Sequence, residues 1–400
     1  MEWVRLRDIG KIVTGNTPPT SKPEFYGDYM PFIKATDISL DSKTTLVTEQ
    51  SYSKRASEKY KESLVPKGST CVVTIGSIGK KMTYAHKDLF VNQAINAIIP
   101  SPKYDNEYIY YNVKYSVLPQ LKKLDSGTTS GRENVSKSSF SNIRIPIVKD
   151  KNIQHRIASI LSTYDSLIEN NTKRIRLFEK MAENLYKEWF SYGKIIKGGT
   201  IVRLTDIIQI TRGLSYSTAE IDCEEGLDLI NLKNIQAYGG FRYDGTKKFC
   251  GKYKNEQIVC EGDLVMGVTD MTQDRRTVGS VALIPKTDKL SVISADLIKI
   301  SSSISSVFLF GMFKYGNVSK NVAQFANGAN VLHLRPKALH NIKVLLPNPN
   351  LINKYVDIVS PMVAEMNKLY VLSEKLARQR DLLLPRLMSG KLEVKEELLE

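Results

Sequence analysis

The chain has 400 residues, 42% of them hydrophobic and 25% charged, an ordinary globular composition that supports two to four packed domains and argues against a disordered chain. No apolar run approaches the ~18 residues of a membrane span, and Met1-Glu2-Trp3-Val4-Arg5 begins no apolar leader, so a soluble, cytoplasmic protein is expected. The formal charge of +15 divides into +7 over residues 1–150, +4 over 151–199, +4 over 200–345 and 0 over 346–400. Such a basic surface favours a polyanion, because each Lys or Arg set on a phosphate releases condensed counterions. A generic basic surface is the alternative.

In chain order, the first segment opens on Val4-Arg5-Leu6-Arg7-Asp8-Ile9 and continues as short apolar runs. Cys71-Val72-Val73-Thr74-Ile75 stands before Gly76, and Ala97-Ile98-Ile99 before Pro100. Runs of this length, rich in β-branched residues and bounded by turn formers, read as strands. Tyr108-Ile109-Tyr110-Tyr111-Asn112-Val113 fits a helix or a buried strand, since periodicity does not decide so short a run.

A connector follows over residues 151–197, expected as a short helix and then a long one. Ser162, with Asp165 three residues on, reads as the N-cap of the long helix. From there Tyr164, Ile168, Asn171, Ile175, Phe178, Ala182, Leu185 and Trp189 recur in alternating steps of four and three, a coiled-coil seam interrupted by Asn171.

The second half repeats the first. Val202-Arg203-Leu204-Thr205-Asp206-Ile207 echoes the opening at an offset of 198 residues, and Phe32 to Ile38 finds Leu229 to Ile235. Asn142-Ile143-Arg144 finds Asn341-Ile342-Lys343, and Ser159 to Ser162 finds Asp357 to Ser360. Leu264-Val265-Met266 and Val281-Ala282-Leu283-Ile284 read as strands, and Phe308 to Phe313 again fits helix or strand. Ser360, followed by Pro361, reads as the N-cap of a second long helix that Pro385 ends. Its stripe is Met362, Met366, Leu369, Ser373, Leu376, Arg380 and Leu383.

These elements predict an α+β chain with an internal pseudo-two-fold repeat. Two similar mixed α/β globules, residues 1–150 and 198–346, alternate with helical connectors at 151–197 and 347–400. Neither apolar stripe is buried by its own helix, so two long antiparallel coiled-coil helices are expected to pair and separate the globules; the alternative is that each stripe packs on its own globule. Helices of about 30 and 24 residues span roughly 45 and 36 Å, close to the ~34–36 Å of one duplex turn. That length suits a bipartite DNA target.

The sequence carries no recognisable catalytic signature. Asn16-Thr17-Pro18-Pro19 and Asn348-Pro349-Asn350 both fail as the Asn/Asp-Pro-Pro-Tyr/Phe motif of an amino-methyltransferase. Gly76-Ser77-Ile78-Gly79-Lys80-Lys81 is too short for a nucleotide-binding P-loop and lacks its magnesium-holding hydroxyl. His86, His155, His333 and His340 show no metal spacing, and Cys71, Cys223, Cys250 and Cys260 form no Cys-x-x-Cys pair, so neither a metal nor a disulfide framework is expected. The chain reads as a non-enzyme; the alternative is a self-sufficient DNA-modifying or DNA-cleaving enzyme whose catalytic residues come together only on folding.

Along essentially its whole length the chain resembles the specificity subunits of type I restriction-modification systems. The resemblance is carried by Gly15-Asn16-Thr17-Pro18-Pro19-Thr20-Ser21-Lys22-Pro23-Glu24-Phe25-Tyr26-Gly27-Asp28 running on into Pro31 to Ile38, by Gly76 to Lys80, and by Ser126-Gly127-Thr128-Thr129. Gln154 to Leu161, Gly262-Asp263-Leu264-Val265, Thr272-Gln273-Asp274 and Val278-Gly279 are similar as well. The chain lacks the family's usual Glu before Gln154, and Asn350 to Lys354 lacks the Glu-Gln altogether. The resemblance implies that each globule is a target recognition domain reading one half of an asymmetric, interrupted DNA sequence. It further implies that the helices set the spacing and dock two modification (methyltransferase) subunits and, through them, restriction subunits that translocate and cut. S-adenosylmethionine, ATP and magnesium are then expected on those partners and no cofactor on this chain.

Base reading uses Arg or Lys toward guanine and Asn or Gln toward adenine, on exposed loops. The candidates are Lys34, Lys80, Lys81, Arg132 and Asn134 in the first globule, around loops 76–81 and 126–134. In the second they are Lys233, Gln273, Arg275, Arg276 and Asn330, around loops 269–277 and 327–330. A solvated charge or a turn residue is the alternative for each.

Overall fold

The computed structural model describes every residue except 41, 128–132, 191–198, 222, 288 and 395–400. The chain divides into two units, Met1–Asn171 with Leu372–Glu400, and Thr172–Val371. These units cut across the four segments expected from the chain order, because each globule shares its core with stretches of both long helices.

In the first unit Glu2–Arg5 pairs antiparallel with Arg144–Ile147, closing the globule's two ends on each other. A four-stranded sheet runs in the order Gly10–Thr14, Ile95–Pro100, Thr70–Val73, Met82–Tyr84, all antiparallel. A second sheet contains Gln50–Tyr52 beside Met30–Ile33, which is parallel to Phe90–Val91. The tyrosine-rich run is helical over Asn106–Asn112, capped by the Asp105 carboxylate, which accepts the Tyr108 amide at 2.8 Å. Its face is buried in the main core with Leu6, Val72 and Ile98, together with Ile157, Ala158 and Leu161 of one long helix and Leu384, Leu387 and Met388 of the other.

The second unit repeats this plan. Thr200–Arg203 pairs with Lys343–Leu346, and a sheet runs Gln209–Arg212, Leu297–Ser301, Leu264–Gly267, Val281–Leu283. Leu227–Ile230 lies antiparallel to Lys247–Phe249 and parallel to Ser291–Ile293. Phe308 to Phe313 falls in the helix Ser306–Lys314. The repeat extends to single glycines. A Cβ on Gly15 would lie 2.1 Å from the Val91 carbonyl oxygen, and one on Gly213 2.0 Å from that of Ser294, so both positions exclude any side chain.

Each connector is one uninterrupted helix, Lys151–Phe190 and Pro349–Met388, and this corrects the expected starts at Ser162 and Ser360. The Ser162 hydroxyl donates back to the Ser159 carbonyl at 3.2 Å, an in-helix bond that removes the need for a cap. The caps are Asp150, whose Oδ1 accepts the Asn152 amide at 2.7 Å, and Asn348, whose Oδ1 accepts the Asn350 amide at 2.9 Å. Pro349 then takes the first helical position. Pro361 and Pro385 lie within the second helix on exposed positions and do not end it.

The helices run antiparallel in both units. In the first, Asn171 Nδ2 donates to Ser373 Oγ at 3.2 Å, and Asp165 pairs with Arg380. In the second, Arg174 meets Glu365 at 3.1 Å while Tyr186 packs edge-on against Tyr355. Of the expected seam, Ile168, Asn171, Ile175, Ala182, Leu369 and Arg380 are buried. Tyr164, Phe178, Leu185, Trp189, Met362, Met366, Leu376 and Leu383 are half-buried. The fully covered neighbours are Asp165 and Tyr186, one residue beyond Tyr164 and Leu185, as expected when a 3.6-residue helix drifts against a strict 3.5 repeat.

Candidate nucleic-acid interface

In the first unit the strand Thr70–Val73 runs into the turn that contains Gly76. The Gly76 amide donates to the Glu133 carbonyl at 2.9 Å, the Val135 amide to Thr74 at 2.8 Å, and Ile75 bridges Asn134. The loops 76–81 and 126–134, far apart in sequence, are therefore stitched side by side through their described residues. Asp125 closes the second loop: its Oδ1 accepts the Asn134 and Gly127 amides at 2.7 and 2.8 Å. Those two bonds hold its carboxyl below the usual carboxylate range. On the first loop Ile78 is buried and Gly79, at φ 69°, sits where a Cβ would be 2.9 Å from the Leu118 carbonyl. The buried isoleucine anchors the turn and leaves its flanks outward.

The first-unit candidates differ in their freedom. Lys80 is exposed. Lys81 Nζ donates to the Ala35 carbonyl at 2.9 Å, and Lys34 Nζ is held by Glu49 at 3.1 Å. Asn134 is half-buried, with its backbone engaged by Asp125 and Ser126. Arg132 lies outside the described residues.

The second unit repeats the arrangement with different residues. Thr269–Asp270 pairs antiparallel with Leu332–His333, and Gln273 Nε2 donates to the Ala329 carbonyl at 2.9 Å, so loops 269–277 and 327–330 also meet. Asp270, buried, organises the turn: one oxygen accepts the Thr272 amide and hydroxyl, both at 2.8 Å, and the other the Thr277 amide at 2.6 Å. Burial alone would raise its pKa, but these donors outweigh it and hold the carboxyl at about 2. Val278 is buried and Gly279, at φ 77°, would place a Cβ 2.8 Å from the Ser319 carbonyl, matching Ile78 and Gly79. Lys233, Gln273, Arg275, Arg276 and Asn330 are all exposed. Arg276 is paired with Asp274 at 2.5 Å.

Asp125 and Asp270 shape these loops and were not singled out from sequence. For Asp270 the signal was available: Asp270-Met271-Thr272 has the Asx-turn spacing in which a carboxylate accepts the amide two residues on. Gln154 of the connector motif is fully buried; its Oε1 accepts the Asp105 amide at 2.8 Å and its Nε2 donates to Val148 at 2.6 Å. The corresponding Ile352 is buried in an apolar core, which explains why the second connector has no Gln. Among the described residues no His, Cys, Asp and Glu group has metal-binding geometry. His155 Nδ1 lies 3.0 Å from Asp105, and the four cysteines are free thiols.

Residues 1–179 match the sequence model of the type I restriction modification DNA specificity domain. The chain is 24% identical to the type I restriction enzyme MjaIX specificity subunit of Methanocaldococcus jannaschii, over 98% of this chain and 93% of that one. The chain is thus similar to type I specificity subunits, and its first 179 residues to their DNA specificity domain. Over 44% of its length it is 33% identical to the type I restriction enzyme HindI specificity subunit of Haemophilus influenzae, covering 38% of that protein. Its fold is similar to the crystal structure of a type I restriction-modification S subunit from M. genitalium, with a TM-score of 0.61, 17% identity and 96% of both chains covered. The paired loops of each unit are the candidate interface. No helix among the described residues is long and apolar enough to cross a membrane.

Proposed function

We propose that each globule of this specificity subunit reads one half of an asymmetric, two-part DNA sequence through its pair of stitched loops. The observation that carries the reading is that, in both units, two remote loops are hydrogen-bonded edge to edge over a buried anchor, Ile78 or Val278, with Lys80 left outside in the first and basic and amide side chains in the second. Loops stitched together in this way hold donors in the register that base edges require. Lys80 serves the first half-site, and Lys233, Gln273, Arg275, Arg276 and Asn330 the second. Their different residues make the halves of the target different.

In this reading the long helices dock two modification subunits and, through them, the restriction subunits. Large apolar side chains exposed on those helices support it: Leu167, Leu372 and Leu382 in the first unit, and Leu177, Met181 and Ile358 in the second, each more than 40% exposed. Apolar surface left uncovered on a paired helix suits a protein partner. This chain works in the cytoplasm and holds no catalytic centre or cofactor; S-adenosylmethionine, ATP and magnesium act on the partners. The test is methylation of a random-sequence DNA pool by this chain, its modification subunit and S-adenosylmethionine, with each protein alone as control. Methylation by the mixture at one interrupted two-part sequence is the expected result, whereas methylation or cleavage by this chain alone would overturn the non-catalytic assignment.

A further inference from the structure

Tyr238, Arg275 and Asn317 are the non-glycine residues with positive φ among the described residues, at 65°, 53° and 62°. This conformation is ordinary for Asn but unfavourable for Tyr and Arg, and it persists where the surroundings over-determine it, often around a ligand. Two of them lie in the walls of one cavity in the second unit, of about 180 Å³, and the third lies beside it. Tyr238 and Arg275 line it, and Asn317 stands two residues before Ser319, which lines it too. The Tyr238 amide donates to the Arg276 carbonyl at 2.8 Å, fastening its turn to the base-reading loop. Gly279 lets the helix Val318–Ala323 approach close enough to form the opposite wall.

The lining is cationic. Arg275, Lys314 and Lys320 line the cavity together with one carboxylate, Asp274, which is already answered by Arg276 at 2.5 Å. Lys314 lies 3.6 Å from Glu179. Arg275 and Lys320 have no ion-pair partner among the described residues, and the buried Ser319 hydroxyl has no hydrogen-bond partner there. Between Asp296 and Asp357 the sequence holds seven lysines and arginines and no acidic residue, so the surrounding field is positive. Two uncommitted cations and an unsatisfied hydroxyl around a cavity suit a tetrahedral oxyanion.

We propose that this cavity binds one backbone phosphate of the DNA beside the second half-site, with Arg275 and Lys320 as its charge partners and Ser319 as a hydrogen-bond donor. The inference rests on the half-site reading above. A duplex phosphate is favoured over a free one because Arg275 and Asp274 belong to the same loop that presents Gln273 and Arg276. Tyr238 then forms a rigid rim, and the phosphate sets the register of the strand whose bases that loop reads.

The test uses the complex of this chain with its modification subunit on its own two-part duplex, by phosphate-ethylation interference. Wild type is expected to be blocked by ethylation at one phosphate, or two adjacent ones, flanking the second half-site. Lys320→Gln and Ser319→Ala should become indifferent to that ethylation. Lys320→Gln should also lower the slope of log affinity against log salt by about one, with sequence preference retained. An interference pattern and salt slope identical to wild type in both variants would overturn the assignment. So would inorganic phosphate that raises the wild-type but not the Lys320→Gln melting temperature while interference stays unchanged, since the cavity then serves a free anion. Absence of any two-part footprint in wild type would instead defeat the half-site reading itself.

Discussion

Asp165 and Arg380 form a buried ion pair, with side chains 5% and 10% exposed, in the seam of the first unit. Tyr111 of the globule donates its hydroxyl to the same carboxylate at 2.5 Å, and Arg380 also reaches Asp381 at 2.9 Å. Both helices and the globule are thus joined at one buried polar point. Removing one partner leaves the other charge buried and unpaired, at a cost of about 3–5 kcal/mol, whereas replacing both with apolar residues of similar volume is nearly neutral. Arg380→Met or Asp165→Leu alone should therefore lower the urea midpoint strongly, and the double variant should recover most of the loss. A double variant as unstable as the sum of the singles would show that the pair is not the stabilising unit.

Ile175 and Leu369 are buried, 5% and 3% exposed, where the helices pass through the second unit. A carboxylate at either position has no counter-charge, so Ile175→Asp and Leu369→Asp should each destabilise the chain by at least about 3 kcal/mol. Leu177→Asp, on the exposed side of the same helix, should change stability by under about 0.5 kcal/mol. Thermal unfolding of the three variants separates the seam from the outer face; equal melting points would place the apolar contact elsewhere.

Much of the fold was legible because duplication is a property of sequence alone. The echo of Val4 to Ile9 in Val202 to Ile207 marks the strands that close each globule, and Pro361 or Ser162 could not hide it. The helix starts were misread because a serine hydroxyl has two outlets, a cap or the carbonyl of the preceding turn, and local sequence does not choose between them. Asp165 was invisible as a core residue, since its partners Tyr111 and Arg380 are 54 and 215 residues away. The loops of each interface were legible as loops, but their pairing depends on backbone bonds such as Gly76 to Glu133 that carry no side-chain signature.

Neighbouring lysines in the first unit should behave differently. Lys80 is exposed, while Lys81 Nζ is committed to the Ala35 carbonyl at 2.9 Å. Lys80→Gln should leave the melting temperature unchanged and relax preference in the first half-site, by roughly tenfold if it contacts a base edge, with the second half-site unaffected. Lys81→Gln should cost about 1 kcal/mol of stability through the lost hydrogen bond. Methylation profiles and melting curves of both variants give the answer; a Lys80→Gln profile unchanged in both halves would remove this residue from the interface.

The turn of the second unit should be acid-sensitive through Asp270. Its carboxylate is held at about 2 by the amides of Thr277 and Thr272 and by their hydroxyls, against the opposing effect of burial. A depressed folded-state pKa contributes stability that is fully present above the unfolded value near 4 and is lost as pH falls through about 2. At about 1.4 kcal/mol per pKa unit, the contribution is on the order of 2 kcal/mol. Protection of the Thr272 and Thr277 amides, taken relative to the intrinsic exchange rate at each pH, should be high at neutral pH and fall between about pH 4 and 2. Asp270→Asn, which keeps one acceptor but brings an amide donor to face the Thr277 N–H, should exchange fast at all pH values and lose second-half preference while first-half preference persists. Protection at Thr277 that is independent of both pH and this substitution would mean that the turn is held by its strand pairing with Leu332–His333 and not by the carboxylate.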